Sequence, residues 1–88
     1  MAWYVYLVRC RDNSLYCGIT KDVAARVATH NAGKGAKYTR SRGPVTLAWS
    51  KRTRGATAAR QQEAAIKRLP KATKEELTAG VSLKGQSL

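Results

Sequence analysis

Two short segments decide the fold of this chain, "YVYLVRC" at residues Tyr4 to Cys10 and "YCGIT" at residues Tyr16 to Thr20. Both are rich in β-branched and aromatic residues, a composition that favours half-buried strands. We predict one strand from Trp3 to Arg9 and a second from Leu15 to Thr20. The chain therefore begins with a β-hairpin.

The length of the hairpin loop determines which tyrosines share a face of the sheet. Arg11-Asp12-Asn13 suits a three-residue loop, with Asn13 in the left-handed conformation that Asn tolerates. An odd loop places Tyr6 and Tyr16 on the same face, whereas a two-residue loop would separate them. Tyr4 shares the face of Tyr6 because strand side chains repeat every two residues.

The segment after the hairpin has the pattern of a helix. Asp22 is a suitable N-cap for a helix from Val23 to about Asn31, and Gly33 would stop it. We expect an inward stripe along it, formed by Val23, Val27 and Ala24. Arg26 and His30 are four residues apart, so they share a neighbouring face.

The rest of the chain alternates basic loops with regular elements. The sequence predicts an exposed basic loop from Lys34 to Pro44, then a third strand from Val45 to Trp49, followed by the basic loop "KRTRG". A helix from Thr57 to Leu69 would end at Pro70. Its buried side is expected to carry the residues Ala58, Ala65, Ile66 and Leu69.

A short last helix completes the domain. Thr73 and Glu76 have capping-box spacing, and the helix would end near Ala79-Gly80. We predict an α+β fold, a small three-stranded antiparallel sheet flanked by helices in the order β-β-α-β-α-α. Residues 1–80 would form one domain, and residues 81–88 a disordered tail.

Charge is the most informative feature of the composition. The chain has 88 residues with 17 Lys and Arg against 5 Asp and Glu, a formal charge of +12. This excess destabilises the compact state by self-repulsion, which a polyanion would relieve. Nucleic acid is the expected partner rather than a membrane, because no segment combines a strong apolar face with a basic one.

The remaining composition excludes several other classes of protein. Cys10 and Cys17 have neither CxxC spacing nor companions for a zinc site, and reduced cysteines suit the cytoplasm. The sequence has no signal-peptide pattern and no long apolar run. We expect a soluble cytoplasmic protein.

One carboxylate is isolated among cations. From Val23 to Lys74 the sequence has thirteen Lys and Arg but only Glu63 as an acid. Such a field attracts phosphate and keeps the carboxylate of Glu63 ionised.

These features together carry a family resemblance. "YVY" followed by "YCG", then "HNAGKGAKYTR" and "EAAIKRL", resembles the GIY-YIG nuclease superfamily over about Trp3 to Leu77. The chain is most similar to small stand-alone bacterial members related to the catalytic domain of the Slx-type endonucleases. Two positions depart from the family pattern, because Tyr4 replaces its leading Gly and Cys17 is the middle residue of the second motif.

The resemblance implies a role for each of five side chains. Tyr6 would be the general base and Tyr16 would support it. Arg26 would stabilise the phosphoryl group, and His30 would assist proton transfer or position Tyr6. Glu63 would hold one divalent metal ion, Mg²⁺ or Mn²⁺.

Elementary chemistry supports this set of residues. Attack of water on a phosphodiester adds negative charge that an Arg and a metal can stabilise together. A tyrosine base needs a lowered pKa, which we expect the surrounding cations and a bound Mg²⁺ to provide. Water and substrate phosphate must complete the metal shell, because Glu63 fills only part of an octahedron.

Further residues are predicted to bind nucleic acid or to shape the site. Phosphate contacts are expected from the basic residues Lys34, Lys37, Arg40, Arg42 and Lys67. Gly18 would allow a close approach of the backbone to the substrate, or mark an ordinary bulge. Asn31 would support the site next to His30.

Each assignment has a structural alternative. The tyrosines could be sheet aromatics, His30 could favour a helix C-terminus, and Arg26 could pair with Asp22. Glu63 could pair with Lys67 on its own helix.

Two functions therefore stay open. The first is a DNA nuclease that recognises DNA structure or ends rather than sequence. Such a nuclease could act in DNA repair and could depend on a partner protein for targeting, and RNA is a second candidate substrate. The second is a basic nucleic-acid-binding protein, with the same fold and little turnover. A basic RNA-associated accessory protein would leave the Tyr, Arg and Glu set without a purpose.

Overall fold

A computed structural model describes residues 2–79 of the chain. It has three strands and four helices in the order β-β-α-α-β-α-α: β1 Trp3–Arg9, β2 Leu15–Thr20, α1 Val23–Asn31, α2 Lys37–Arg40, β3 Thr46–Thr53, α3 Ala56–Lys67 and α4 Lys71–Ala79. The strands form one antiparallel sheet, and the predicted α+β class is confirmed.

The hairpin has the predicted loop. Arg9 pairs with Leu15, and the amide of Cys10 donates to the carbonyl of Ser14, which leaves three residues in the loop. Asn13 has a φ of 70°, in the left-handed region. Tyr6 therefore lies opposite Gly18, and Tyr16 shares its face.

β1 is the central strand, since the sheet order is β2-β1-β3. β3 runs to Thr53, so the expected end at Trp49 and the expected "KRTRG" loop were wrong. Lys51 and Arg52 pair with the first half of β1, and this pairing outweighs their basic character. They also suit the outer edge of a sheet, where charged side chains discourage pairing with other chains.

The two faces of the sheet bury separate clusters. Val5, Leu7 and Cys17 pack with Ile66 of α3 on one face. Tyr6 and Val8 pack on the other face, where Tyr16 and Val27 of α1 contact them. Val5 and Cys17 are the middle residues of the "YVY" and "YCG" motifs. They point to the face opposite Tyr6, because side chains alternate between the two faces along a strand.

α1 begins as predicted and buries a different residue from those expected. The side chain of Asp22 accepts from the amide of Ala25, so Asp22 is the N-cap. Of the expected stripe, Val27 packs against the Tyr6 cluster but Ala24 is exposed. His30 is the buried residue of this helix, because it faces the sheet next to Tyr6.

The segment from Lys34 to Pro44 is not only a loop, as it was expected to be. It contains the short helix α2, in which the amides of Thr39 and Arg40 donate to the carbonyl of Ala36. Thr39 is fully buried although its neighbours Lys37 and Arg40 are exposed. A helix this short depends on tertiary contacts, and the burial of Thr39 provides one.

The last two helices differ from the prediction in detail. α3 ends at Lys67 and buries Ala59 and Ile66, one heptad apart, whereas the expected Ala65 is exposed. Leu69 lies after the helix and packs against the first cluster.

α4 begins at Lys71, because the carbonyl of Pro70 accepts from the amides of Thr73 and Lys74. Thr73 is therefore inside the helix and the capping box was wrong. The guanidinium of Arg9 donates to both carboxylate oxygens of Glu75 at 2.9 and 2.6 Å, which fastens α4 to β1. The predicted tail, residues 81–88, lies outside the described residues. Within residues 2–79 no helix is long and apolar enough to cross a membrane.

Candidate active site

A buried tyrosine and a buried histidine form the centre of the site. Tyr6 of β1 and His30 of α1 are each 1% exposed, and their Oη and Nε2 atoms lie 2.9 Å apart. Two of the predicted catalytic residues are thus in direct hydrogen-bond contact.

Two glycines make room for this pair. A Cβ on Gly18 would overlap the hydroxyl of Tyr6 and lie 2.7 Å from the ring carbon that carries it. A Cβ on Gly35 would overlap Nδ1 of His30 and lie 2.9 Å from Cε1. Gly18 thus accommodates Tyr6 directly, and Gly35 is a site residue that the sequence pattern did not reveal.

Thr39 was also missed. Its Oγ1 lies 2.8 Å from Nδ1 of His30 and 3.0 Å from the carbonyl oxygen of Ala36. The imidazole of His30 is therefore hydrogen-bonded at both nitrogens, by Tyr6 on one side and Thr39 on the other. The sequence offers no signal for it, because the burial of Thr39 between the exposed cations Lys37 and Arg40 is visible only in the structure.

The second tyrosine of the hairpin completes the wall of the site. The ring of Tyr16 meets His30 edge to face, with centroids 5.6 Å apart. Its other neighbour is Tyr38 of α2, stacked with centroids 5.7 Å apart. The guanidinium of Arg42 lies 4.0 Å from the centroid of the Tyr38 ring.

Arg26 is the cation of the site. Its Nε is buried and has no hydrogen-bond partner among residues 2–79. None of the ion pairs in that range joins it to Asp22, whose side chain instead caps the helix. A buried donor of this kind is expected to find a partner, and an anion would supply one.

The electrostatics of Tyr6 differ from the prediction. Burial raises the pKa of Tyr6, and nearby Arg26 lowers it only in part. Desolvation outweighs the cations of the protein, so these alone do not favour the expected phenolate. Burial and the charge of Arg26 both lower the pKa of His30, which favours a neutral imidazole at pH 7.

Glu63 is not in contact with these residues. It belongs to α3, which packs on the opposite face of the sheet, and its carboxylate lies 3.4 Å from Nζ of Lys67. Burial is the main cause that raises the pKa of Cys17 to about 11, and the charge of Glu63 is the second cause. Cys17 directly precedes Gly18, so Glu63 and the Tyr6 hydroxyl approach the same part of β2 from opposite faces.

The donor set limits what metal site is possible. No group of three or more His, Cys, Asp or Glu side chains within residues 2–79 could hold a metal ion. Glu63 alone fits a hard ion such as Mg²⁺, which keeps several waters and binds through one or two carboxylates together with substrate phosphate.

The predicted phosphate-binding residues divide into two groups. Lys34, Lys37 and Arg40 are exposed around α2, close to His30 in the fold. Arg42 is held in place instead, because it donates to Asp12 and to the carbonyl of Tyr38.

Two of the predicted supporting residues have partners of their own. Lys67 pairs with Glu63. Asn31 exchanges two hydrogen bonds with the backbone of Val45, at 3.0 and 2.6 Å, and so joins the end of α1 to the start of β3.

A second basic surface lies at the outer edge of β3. Lys51, Arg52 and Arg54 are exposed there, and no ion pair among residues 2–79 involves them. We call these three residues the β3 edge surface. The sequence pattern assigned them to a loop, and they were not among the predicted nucleic-acid contacts.

Comparison with protein families gives one match that spans most of the chain. Residues 2–76 match the model of the GIY-YIG catalytic domain. A UPF0213 protein of Vibrio cholerae is 52% identical over 81 residues, which cover 91% of this chain and 80% of that protein. A UPF0213 protein of Natronomonas pharaonis is 51% identical, with 86% and 89% covered.

Solved structures give the same result. The solution NMR structure of the UPF0213 protein of Bacillus halodurans has a TM-score of 0.58 and 44% identity, and the match covers 99% of this chain and 89% of that one. The solution NMR structure of an E. faecalis protein has a TM-score of 0.62 and 34% identity, with 94% and 88% covered.

Proposed function

Because this chain belongs to the GIY-YIG catalytic domain family, we propose that it is a metal-dependent nuclease that hydrolyses phosphodiester bonds in DNA. The family indicates a hydrolase of the endonuclease type. The arrangement of the site supports the finer assignments of the metal, the substrate and the residues that act.

One observation carries the proposal. Tyr6 and His30 are buried in hydrogen-bond contact next to Arg26, whose Nε has no partner among the described residues. A structural core would not place an unsatisfied guanidinium nitrogen beside a phenol and an imidazole. A phosphate bound by Arg26 would satisfy that nitrogen and bring the phosphorus to the Tyr6 pair.

The chemistry assigned to these residues is proton transfer and charge stabilisation. Tyr6 would take a proton from the attacking water, and His30 would assist it as a neutral base. Arg26 would stabilise the negative charge that develops on the phosphate oxygens. Tyr16 would keep His30 in place through its edge-to-face contact.

Glu63 would hold one Mg²⁺ or Mn²⁺, with waters and the substrate phosphate as the remaining ligands. When bound, such an ion supplies Lewis-acid stabilisation of the phosphate and the leaving oxygen. We propose that the scissile phosphate lies beside β2, where the Tyr6 hydroxyl contacts Gly18 and where the charge of Glu63 acts on Cys17.

The preferred substrate follows from what the surface offers. Charged contacts of the kind made by Lys34, Lys37 and Arg40 carry no sequence information. The sequence pattern indicates no recognition helix with several base-contacting side chains. We propose a cytoplasmic nuclease that recognises DNA structure or ends, with a role in DNA repair and RNA as a second candidate substrate. A partner protein could direct it to its sites.

The test is a panel of single-stranded, duplex, flap and branched DNA with Mg²⁺, with Mn²⁺ and with EDTA. Glu63→Gln is expected to reduce cleavage at least about 100-fold while DNA affinity changes little. Glu76→Gln, an exposed carboxylate on α4, serves as the matched control and should cleave normally. Equal activity of the Glu63 variant would remove its metal role.

One observation favours the alternative of a basic nucleic-acid-binding protein without turnover. Glu63 already has a partner in Lys67, and it lies on the face of the sheet away from His30. This alternative predicts salt-sensitive binding to every DNA in the panel and no metal-dependent product with any of them.

A further inference from the structure

We propose that Thr39 is a positioning residue that holds His30 in the tautomer with its proton on Nδ1, so that Nε2 is free to take the proton of Tyr6. The role of this tautomer in cleavage rests on the proposed function. The tautomer itself does not, since it follows from hydrogen-bond donors and acceptors alone.

The hydroxyl of Thr39 has one proton to donate. Oγ1 lies 3.0 Å from the carbonyl oxygen of Ala36, and a carbonyl can only accept, so Thr39 donates there. The 2.8 Å contact between Oγ1 and Nδ1 of His30 must then run the other way. Nδ1 carries the proton and donates it to Thr39.

The protonation of Nδ1 determines the other side of the ring. A neutral imidazole has one N–H, so Nε2 has only a lone pair and accepts. The 2.9 Å contact with Tyr6 is therefore a hydrogen bond from the phenol to His30. His30, Thr39 and Tyr6 are almost fully buried, so water does not compete for these bonds.

The surroundings of His30 favour the neutral form. Tyr6 of β1 and Tyr16 of β2 contact the ring, and α2 contributes the uncharged Thr39. Arg26 of its own helix is the charge that acts on His30, and it opposes protonation. His30 is thus kept as a base that can accept a proton from Tyr6.

This arrangement gives the direction of proton transfer in the cleavage step. The attacking water loses a proton to the Tyr6 oxygen while the phenol proton passes to Nε2 of His30. The water oxygen forms a bond to phosphorus, the bond from phosphorus to the leaving oxygen breaks, and the leaving oxygen takes a proton from solvent. His30 becomes an imidazolium whose Nδ1 still donates to Thr39.

The opposite tautomer would block this step. With its proton on Nε2, His30 would donate to Tyr6, and the phenol proton would have no acceptor. Nδ1 would then point a lone pair at Oγ1 of Thr39, whose proton is already committed to Ala36. Thr39 therefore selects the useful tautomer through the nitrogen that does not face the reaction.

The experiment reads the tautomer directly. His30 is the only histidine of the chain, so ¹⁵N NMR of the labelled protein gives its two ring nitrogens without overlap. We expect a protonated Nδ1 and a bare Nε2 in the wild type. Thr39→Ser should retain that pattern, and Thr39→Val should give a mixture of tautomers.

Tyr6→Phe identifies which partner sets the tautomer. It removes the donor to Nε2 and leaves Thr39 in place, so we expect Nδ1 to stay protonated. A wild-type spectrum with the proton on Nε2, or a Tyr6→Phe variant that changes tautomer while Thr39→Val does not, would overturn the proposal. If Thr39→Val does not fold, the wild-type spectrum still decides the tautomer, and the Tyr6→Phe spectrum decides whether Tyr6 sets it.

Cleavage tests the functional half. Thr39→Val is expected to lower the rate by about 10- to 100-fold, as for other residues that orient an imidazole through its second nitrogen. Thr39→Ser should restore most of it. A Thr39→Val rate equal to wild type, in a protein whose tautomer has changed, would overturn the role in catalysis. If the wild type cleaves nothing, the proposed function fails while the spectrum still decides the tautomer.

Discussion

The hydroxyl of Tyr6 occupies the space that a side chain on Gly18 would fill, directly across the hairpin from it. The two residues are cross-strand partners, so this relationship follows from the three-residue loop that sets their register. A glycine here is required by contact with Tyr6, whatever the local backbone conformation.

We therefore expect Gly18→Ala to displace the Tyr6 ring. The new Cβ meets the ring carbon that carries the hydroxyl, and overpacking of this kind costs about 1–3 kcal/mol of stability. Cleavage should fall at least about 10-fold, because the hydroxyl moves away from His30. Gly55→Ala is the matched control, since a Cβ there meets nothing within 4 Å. Urea denaturation and cleavage rates of both variants check this, and similar values in the two would contradict it.

Arg26→Gln should affect both partners of the buried pair. Arg26 lowers the pKa of Tyr6 and that of His30, so its removal raises both. We expect an upward shift of the His30 titration, followed by NMR, and a reduction of cleavage by about 100-fold or more. Arg60→Gln, at an exposed position of α3, removes the same charge elsewhere and should leave the His30 titration unchanged. An unshifted His30 titration in Arg26→Gln would refute the coupling.

The burial of His30 makes stability depend on pH. Its pKa in the folded state is lowered, so below about pH 6.5 the unfolded chain binds more protons than the folded one. The contribution of neutral His30 to the free energy of unfolding is therefore fully present above that pH. It falls as the pH decreases towards the folded-state pKa, by up to about 1.4 kcal/mol per pH unit. His30→Gln should lack this slope in urea titrations between pH 7 and pH 5.5, and an identical slope in the variant would argue against the assignment.

The β3 edge surface should contribute to DNA binding. Lys51→Gln, Arg52→Gln and Arg54→Gln together are expected to weaken binding to long duplex DNA. Removal of each cation that touches a phosphate reduces the dependence of log K on log salt by about 0.9. The same change of charge at Arg68, Lys71 and Lys74 controls for net charge. If both triple variants show equal salt slopes, the edge cations serve only to keep β3 from pairing with other chains.

Local signals explain which parts of the fold were predictable. The hairpin, its loop and the Asp22 cap were all correct, because each depends on residues close together in sequence. The length of β3 was not, since its second half is held by pairing with β1, more than forty residues earlier in the chain. A basic composition alone favoured a loop there, and the pairing outweighed it.

The residues of the site divide in the same way, into those that the sequence identified and those that depend on distant contacts. Tyr6, Tyr16, Arg26 and His30 were identified from the family pattern, and the structure places them together. Thr39 could not be identified in this way, because its importance comes from a contact with His30 inside a helix too short to show periodicity. Glu63 was singled out by its isolation among cations, but isolation in sequence says nothing about which face of the sheet a helix covers.

The position of Tyr6 on the central strand has a consequence for how this protein would lose activity. The strand that carries it is paired with a neighbouring strand on each side, so the amides of this strand should be among the last to exchange with deuterium. Thr39, on a helix of four residues, should belong to the first region that opens. Gentle warming would then release the imidazole from its outer support while the sheet is still intact, and inactivation would precede melting.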